Sequence, residues 1–250
     1  FNMGIAEGNM MSTAAGLATC GKIVFASSFA IFAAERACEQ IRNSICYPKL
    51  NVKIGATHAG ISVGEDGASH QAVEDIGIVR SIPNMTVISP ADAIETRAAV
   101  KAAIEYEGPV RLAVPVLYDE NTYKFEWGKG VTLSEGTDVT LIATGLMVHE
   151  ALAAKDMLEG EGISTRVIDI HTIKPIDKDI IIKAAKETGA IVTAEEHNVH
   201  GGLASAVSEV IVENYPVPVK FVAIMDRFGR SGKPAPLMKE YGLTAENIAN

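Results

Sequence analysis

The sequence predicts an α/β chain built as two successive units, each a mostly parallel sheet covered by helices. Three observations carry that reading. Short apolar runs alternate with segments of helical periodicity over residues 1–116, the pattern of strand–helix units that feed a parallel sheet. The alternation breaks at a charged, aromatic-rich stretch, 117–136, and restarts over 137–250. A polar, Gly-rich loop also leaves the strand-like run at 50–56, and open α/β sheets place binding sites at strand carboxyl ends. The 250 residues, 48% of them hydrophobic, suffice for two cores.

A helix over 7–18 opens the chain, with Ala6, Met10, Ala14 and Leu17 at helical spacing. Phe1 is not an initiator methionine, and an open sheet normally sets a strand before such a helix. A leading segment is therefore expected to be missing. Residues 22–26 read as a strand, 29–45 as a helix and 50–56 as the next strand. After the Gly-rich loop come a helix over 71–82 and a strand over 85–88. Ser89-Pro90-Ala91-Asp92 reads as a helix start, with a Ser cap and Pro at the first position. A strand is expected over 110–116. The stretch 117–136, with Tyr118, Tyr123, Phe125 and Trp127, reads as a linker between domains. In the second unit, strands fall at 138–143, 165–170, 190–194 and 219–224. The helices between them carry the stripes Met147-Ala151-Ala154-Leu158 and Leu203-Val207-Val210-Ile211, with a third started by Pro175-Ile176-Asp177.

Composition narrows the function. A net charge of −9 argues against nucleic acid or an anionic membrane as the main partner. No apolar run is long enough to span a bilayer, and no signal-peptide pattern is present. Cys20, Cys38 and Cys46 form no Cys-x-x-Cys pair, so neither a zinc site nor a disulfide framework is indicated, and a reducing, cytoplasmic setting fits. The common phosphate-cradling motifs are absent.

Three groups carry candidate chemistry. Gly4-Ile5-Ala6-Glu7 puts one acid among small and apolar residues, where burial favours its neutral form; a helix first-turn glutamate is the simpler alternative. Phe25, Phe29 and Phe32 lie at intervals of four and three on a strand-to-helix turn, suited to a flat heterocycle or to ordinary core packing. The loop Thr57 to Gln71 holds His58, Glu65, Asp66 and His70 among glycines, groups able to exchange protons near neutral pH.

These groups, with Ala56-Thr57-His58, Gly64-Glu65-Asp66-Gly67-Ala68-Ser69-His70-Gln71 and Arg80-Ser81-Ile82-Pro83-Asn84-Met85, resemble the pyrimidine-binding domain of the transketolase family. Glu195-Glu196-His197, Gly201-Gly202 and Phe228-Gly229-Arg230-Ser231-Gly232 resemble that family's C-terminal domain. The resemblance covers nearly the whole chain and is nearest to the C-terminal subunit of a split transketolase. It implies a pyrimidine-binding domain over 1–116, a linker over 117–136 and a transketolase C-terminal domain over 137–250. It further implies thiamine diphosphate and Mg2+, with the metal and diphosphate ligands on an N-terminal partner subunit and no metal ligand here. It assigns Glu7 to the cofactor's aminopyrimidine, and Phe25, Phe29 and Phe32 to its ring. His58, Asp66 and His70 fall on the substrate channel, His70 also assisting proton transfer. Arg111 stands for the arginine that grips the sugar phosphate, after an apparent deletion. Gly8, where the family often has Gln, and Glu35 and Cys38 depart from the pattern. The implied reaction transfers a two-carbon ketol unit between sugar phosphates, in a heterotetramer-like assembly. The beta chain of a 2-oxo acid dehydrogenase, deoxyxylulose phosphate synthase and a non-catalytic assembly subunit are the alternatives. The histidines of the second unit, His149, His171, His197 and His200, read as structural, His197 with a place at a subunit contact.

Overall fold

The computed structural model describes residues 1–112, 118 and 123–250. Two five-stranded α/β sheets are present. The first unit opens with α1 (Glu7–Thr19), then β1 (Val24–Phe29). A single long helical stretch follows, α-helical at α2 (Cys38–Gln40) and π-helical on both sides of it, at Ile31–Arg36 and Ile41–Cys46. Next come β2 (Val52–Thr57), a 3₁₀ turn at Ile61–Asp66, α3 (Asp75–Ser81), β3 (Thr86–Ile88), α4 (Ala93–Glu105) and β4 (Val110–Leu112). The rest of the expected strand over 110–116 lies outside the described residues.

The second unit holds β5 (Val131–Ser134), β6 (Val139–Ala143), α5 (Met147–Gly160), β7 (Thr165–Asp169) and β8 (Thr172–Lys174). It continues with α6 (Lys178–Thr188), β9 (Ile191–Asn198), α7 (Leu203–Asn214), β10 (Val219–Ile224), α8 (Pro234–Glu240) and α9 (Ala245–Ala249).

The first sheet runs β1-β2-β4-β3-β8 and the second β10-β9-β6-β7-β5. All pairings are parallel except two at the edges: β8 lies antiparallel to β3, and β5 antiparallel to β7. Neither edge strand is expected from the sequence. At three and four residues they are too short to show alternation. β5 falls within the stretch read as linker. β8 carries the chain from the second unit back into the first sheet, so the two units share a strand as well as a surface.

The stripe expected on α1 is rotated by one residue. Met11, Ala14, Ala15 and Ala18 are buried, and with them Glu7, whereas Met10 and Leu17 are only partly covered. Small alanines let this face pack closely, and it carries the acid inward. The helix after Ser89 also starts later than its motif suggests. Asp92, not Ser89, is the cap, and its side chain accepts the Glu95 amide at 2.5 Å. Both expected stripes on α5 and α7 are buried. Each such Leu, Ile or Val contributes about 1.5–3 kcal/mol when removed from water.

Candidate active site

Parallel register places the site. Phe29 ends β1 opposite Thr57, which ends β2, so His58 leaves the sheet beside Phe29. Their ring centroids are 5.0 Å apart. His70 closes the group, edge-on to Phe29 at 5.7 Å and to Phe32 at 5.2 Å. Phe29 and Phe32 are themselves edge-to-face at 6.3 Å. Thus four of the expected site residues, from two strand ends, the helical stretch after β1 and one loop, form a single aromatic cluster open to solvent.

Glu7 joins it through its neighbours. The Ser28 hydroxyl, one residue before Phe29, donates to Glu7 Oε1 at 3.3 Å. Arg36 donates to Glu7 Oε2 at 3.2 Å while its guanidinium lies 4.6 Å from the Phe32 ring centre. The Glu7 side chain is 6% exposed and that of Arg36 54%. Arg36 is not among the residues that the sequence singles out. Its signal is faint: four residues after Phe32 on a helix, it shares that ring's face.

Phe25 is not brought to the cluster. It lies on the same strand face as Phe29 but four residues earlier, about 13 Å along the strand, and is exposed on the edge strand. Asp66 is exposed at the end of the 3₁₀ turn, between the two histidines in sequence. His58 Nδ1 pairs with the Thr57 hydroxyl and His70 Nδ1 with the Ser69 hydroxyl, each at 3.0 Å.

Arg111 sits deeper. It is fully buried on β4 and bonded to Asp75 of α3. Its Nε and Nη1 have no hydrogen-bond partner among the described residues. With His58, Ser62, Thr144 and Glu196 it lines a cavity of about 510 Å³ between the two units. Burial pushes the carboxyl of Glu196 up to about 7, although the Ser62 amide and hydroxyl bond to it. Glu35 also rises to about 7, through burial and then the neighbouring Glu74 and Asp75. Among the described residues no group of three or more His, Cys, Asp or Glu is arranged to hold a metal ion.

The second unit's histidines differ in surroundings. His171 is buried, held by Thr172 at 2.8 Å, and burial lowers its pKa to about 4. His197 is buried within this chain rather than at a surface, and its Nε2 accepts the Gly77 amide of the first unit at 3.2 Å.

An acid from α1, a phenylalanine pair and two histidines thus gather near the carboxyl ends of β1 and β2, where open α/β sheets place binding sites. The comparisons make this specific. Residues 1–117 match the model of the transketolase pyrimidine-binding domain, and residues 128–248 that of the transketolase C-terminal domain. A Methanocaldococcus jannaschii protein provisionally described as a transketolase C-terminal section is 53% identical over 100% of this chain and 80% of its own length. A 6-deoxy-6-sulfo-D-fructose transketolase subunit of Clostridium sp. (strain MSTE9) is 43% identical over 99% of this chain and 78% of that protein. A solved split-gene transketolase, described as an inactive beta4 tetramer, superposes with a TM-score of 0.93 at 56% identity, covering 100% of this chain and 81% of that one. The chain belongs to the transketolase family.

Proposed function

We propose that this chain is the C-terminal half of a two-chain transketolase. It would transfer a two-carbon ketol unit from a ketose phosphate to an aldose phosphate, with the site completed by an N-terminal partner subunit. The observation that carries this reading is the convergence of Glu7, Phe29, Phe32, His58 and His70 on one cluster.

The residues suit one end of thiamine diphosphate. A buried carboxyl beside half-exposed aromatic rings fits an aminopyrimidine. The diphosphate end, with Mg2+ and its ligands, is assigned to the partner. When bound, the cofactor supplies the nucleophilic carbon and the electron sink. This chain's part is to bind, orient and move protons. Glu7 would hydrogen-bond the pyrimidine ring nitrogen N1′ and hold a proton there. Ser28 and Arg36 fix the orientation of that carboxyl. Phe29 and Phe32 would pack on the pyrimidine. His70 would bond the donor's hydroxyl and carbonyl oxygens and carry a proton between them, Asp66 would read the adjacent hydroxyl, and His58 would lie toward the sugar. Arg111, through the two nitrogens that have no hydrogen-bond partner among the described residues, would meet the phosphate from the cavity it shares with His58.

The sugars are open, because relatives are named for different ones, 6-deoxy-6-sulfo-D-fructose and apulose 4-phosphate. A cytoplasmic, heterotetramer-like assembly goes with this reading. The described residues include no helix long and apolar enough to cross a membrane. The test is a donor panel on the chain reconstituted with an N-terminal half, thiamine diphosphate and Mg2+. Turnover of ketose phosphates with none of pyruvate supports ketol transfer. Pyruvate decarboxylation would move the chain to the 2-oxo acid or deoxyxylulose phosphate branch.

A further inference from the structure

The loop that carries Asp66 and His70 is gripped along its length by the C-terminal domain. Its neck is closed within the first unit, where the Gly60 amide donates to the Ala72 carbonyl at 2.7 Å. Beyond the neck, Glu196 of β9 reaches across. Its Oε1 accepts the Ser62 amide at 2.6 Å and its Oε2 the Ser62 hydroxyl at 3.1 Å. A Cβ on Gly60, at φ +80°, would strike this carboxyl, so the backbone can approach only as glycine. At the far end the Gln71 amide donates to the carbonyls of Ile61 and Gly64, each at 3.2 Å, and of Arg230 at 3.0 Å. One side chain therefore ties the 3₁₀ turn to the C-terminal segment. Gly67 lies against the Ser231 hydroxyl and Gly229 against Gln71, and a Cβ added to Gly64 would meet the Gly232 carbonyl oxygen at 3.2 Å.

The neighbouring strand residues do other work. Glu195, on the opposite face of β9, accepts the Leu203 and Ala204 amides at 2.6 and 2.8 Å and caps α7. Among the described residues, the hydrogen bonds of Glu196 all go to this loop of the first unit.

We propose that Glu196 is a positioning residue: through Ser62 it holds the substrate-reading loop, and with it Asp66 and His70, in register with the cofactor end of the site. This rests on the transketolase reading above for what the loop does, but not for the grip itself. Fixing a loop in its productive geometry removes an ordering cost that substrate would otherwise bear. Losing the grip should then weaken donor binding and leave cofactor binding alone, since Glu7, Phe29 and Phe32 stand on other elements.

Two arms test it. In the first, hydrogen exchange is followed residue by residue in the chain alone. Glu196→Ala should speed exchange of the Ser62 amide and its loop neighbours about tenfold or more, with β1 and β2 unchanged. Glu196→Gln, which keeps an acceptor for the Ser62 amide and a partner for its hydroxyl, should restore protection. In the second arm, the complex with an N-terminal half is assayed. Glu196→Ala should raise the donor KM about tenfold, with thiamine diphosphate affinity unchanged and Glu196→Gln near the parent. Should Glu196→Ala fail to fold, Ser62→Ala, which removes only the hydroxyl bond, should show the same split at about two- to threefold. Unchanged loop exchange, or cofactor and donor binding weakening together, would overturn the proposal. A parent complex silent in ketol transfer would instead remove the transketolase reading, and the exchange arm would still judge the grip.

Discussion

Both carboxylate oxygens of Glu7 are engaged inside the chain, one by Ser28 and one by Arg36. A cofactor that uses this acid must share or displace one of them. Glu7→Gln is nearly isosteric and can keep the Ser28 contact. Its only ionic partner among the described residues, Arg36, is half exposed, so stability should change by no more than about 1 kcal/mol. Ketol transfer should fall by about 10²- to 10⁴-fold. Kinetics and denaturation on the same samples check both; unchanged turnover would remove Glu7 from the chemistry. Lys53 offers a second residue-scale prediction. It is fully buried on β2, its ammonium donating to the Tyr106 and Gly108 carbonyls at 2.7 and 2.6 Å, and burial lowers its pKa from 10.5 to about 8. The unfolded chain therefore holds this proton more tightly than the folded one. Below pH 8 both states are charged and the burial cost is constant; between pH 8 and 10.5 stability should rise with pH, by up to about 3 kcal/mol. Lys53→Met should abolish that rise relative to the parent, read from denaturation midpoints at about pH 8 and pH 10. At this scale the motif residues are legible because their types and order carry the chemistry. Arg36, and the contact that the motif residue Glu196 makes with Ser62, are not, because the partners lie 29 and 134 residues away and only the fold brings them together.

Among the elements, signals that act within one turn read well. Asp177 reads as part of a helix start, and its side chain accepts the Ile180 amide at 3.3 Å as the cap of α6. It also takes the Gly130 amide at 3.1 Å, pinning the approach to β5. Asp177→Ala should cost about 1–2 kcal/mol, with thermal unfolding lowered and activity per folded molecule retained. Ser89 shows where such signals mislead. Its motif is sound locally, but its amide donates to the His171 carbonyl at 2.7 Å, which keeps it in the strand connection and moves the cap to Asp92. The π-helical turns on both sides of α2 leave no mark in the apolar periodicity. Nor do β5 and β8, whose pairing depends on strands far away in sequence.

At the scale of the molecule, the alternation of elements is enough to predict two parallel-dominated sheets. It cannot show that the second unit returns a strand to the first sheet, nor that β9 reaches the loop bearing His70. Those contacts join the two units. The chain presents an acid, two rings and two histidines, and among its described residues no group of three or more His, Cys, Asp or Glu is arranged to hold a metal ion. The proposed function makes the site one shared between two chains. The most direct measurement is ketol transfer from xylulose 5-phosphate to ribose 5-phosphate by this chain, by an N-terminal transketolase half, and by their mixture, each with thiamine diphosphate and Mg2+. A shared site predicts no turnover from either chain alone and turnover in the mixture. Activity of this chain alone, or silence from a mixture shown by sizing to form a complex, would contradict it.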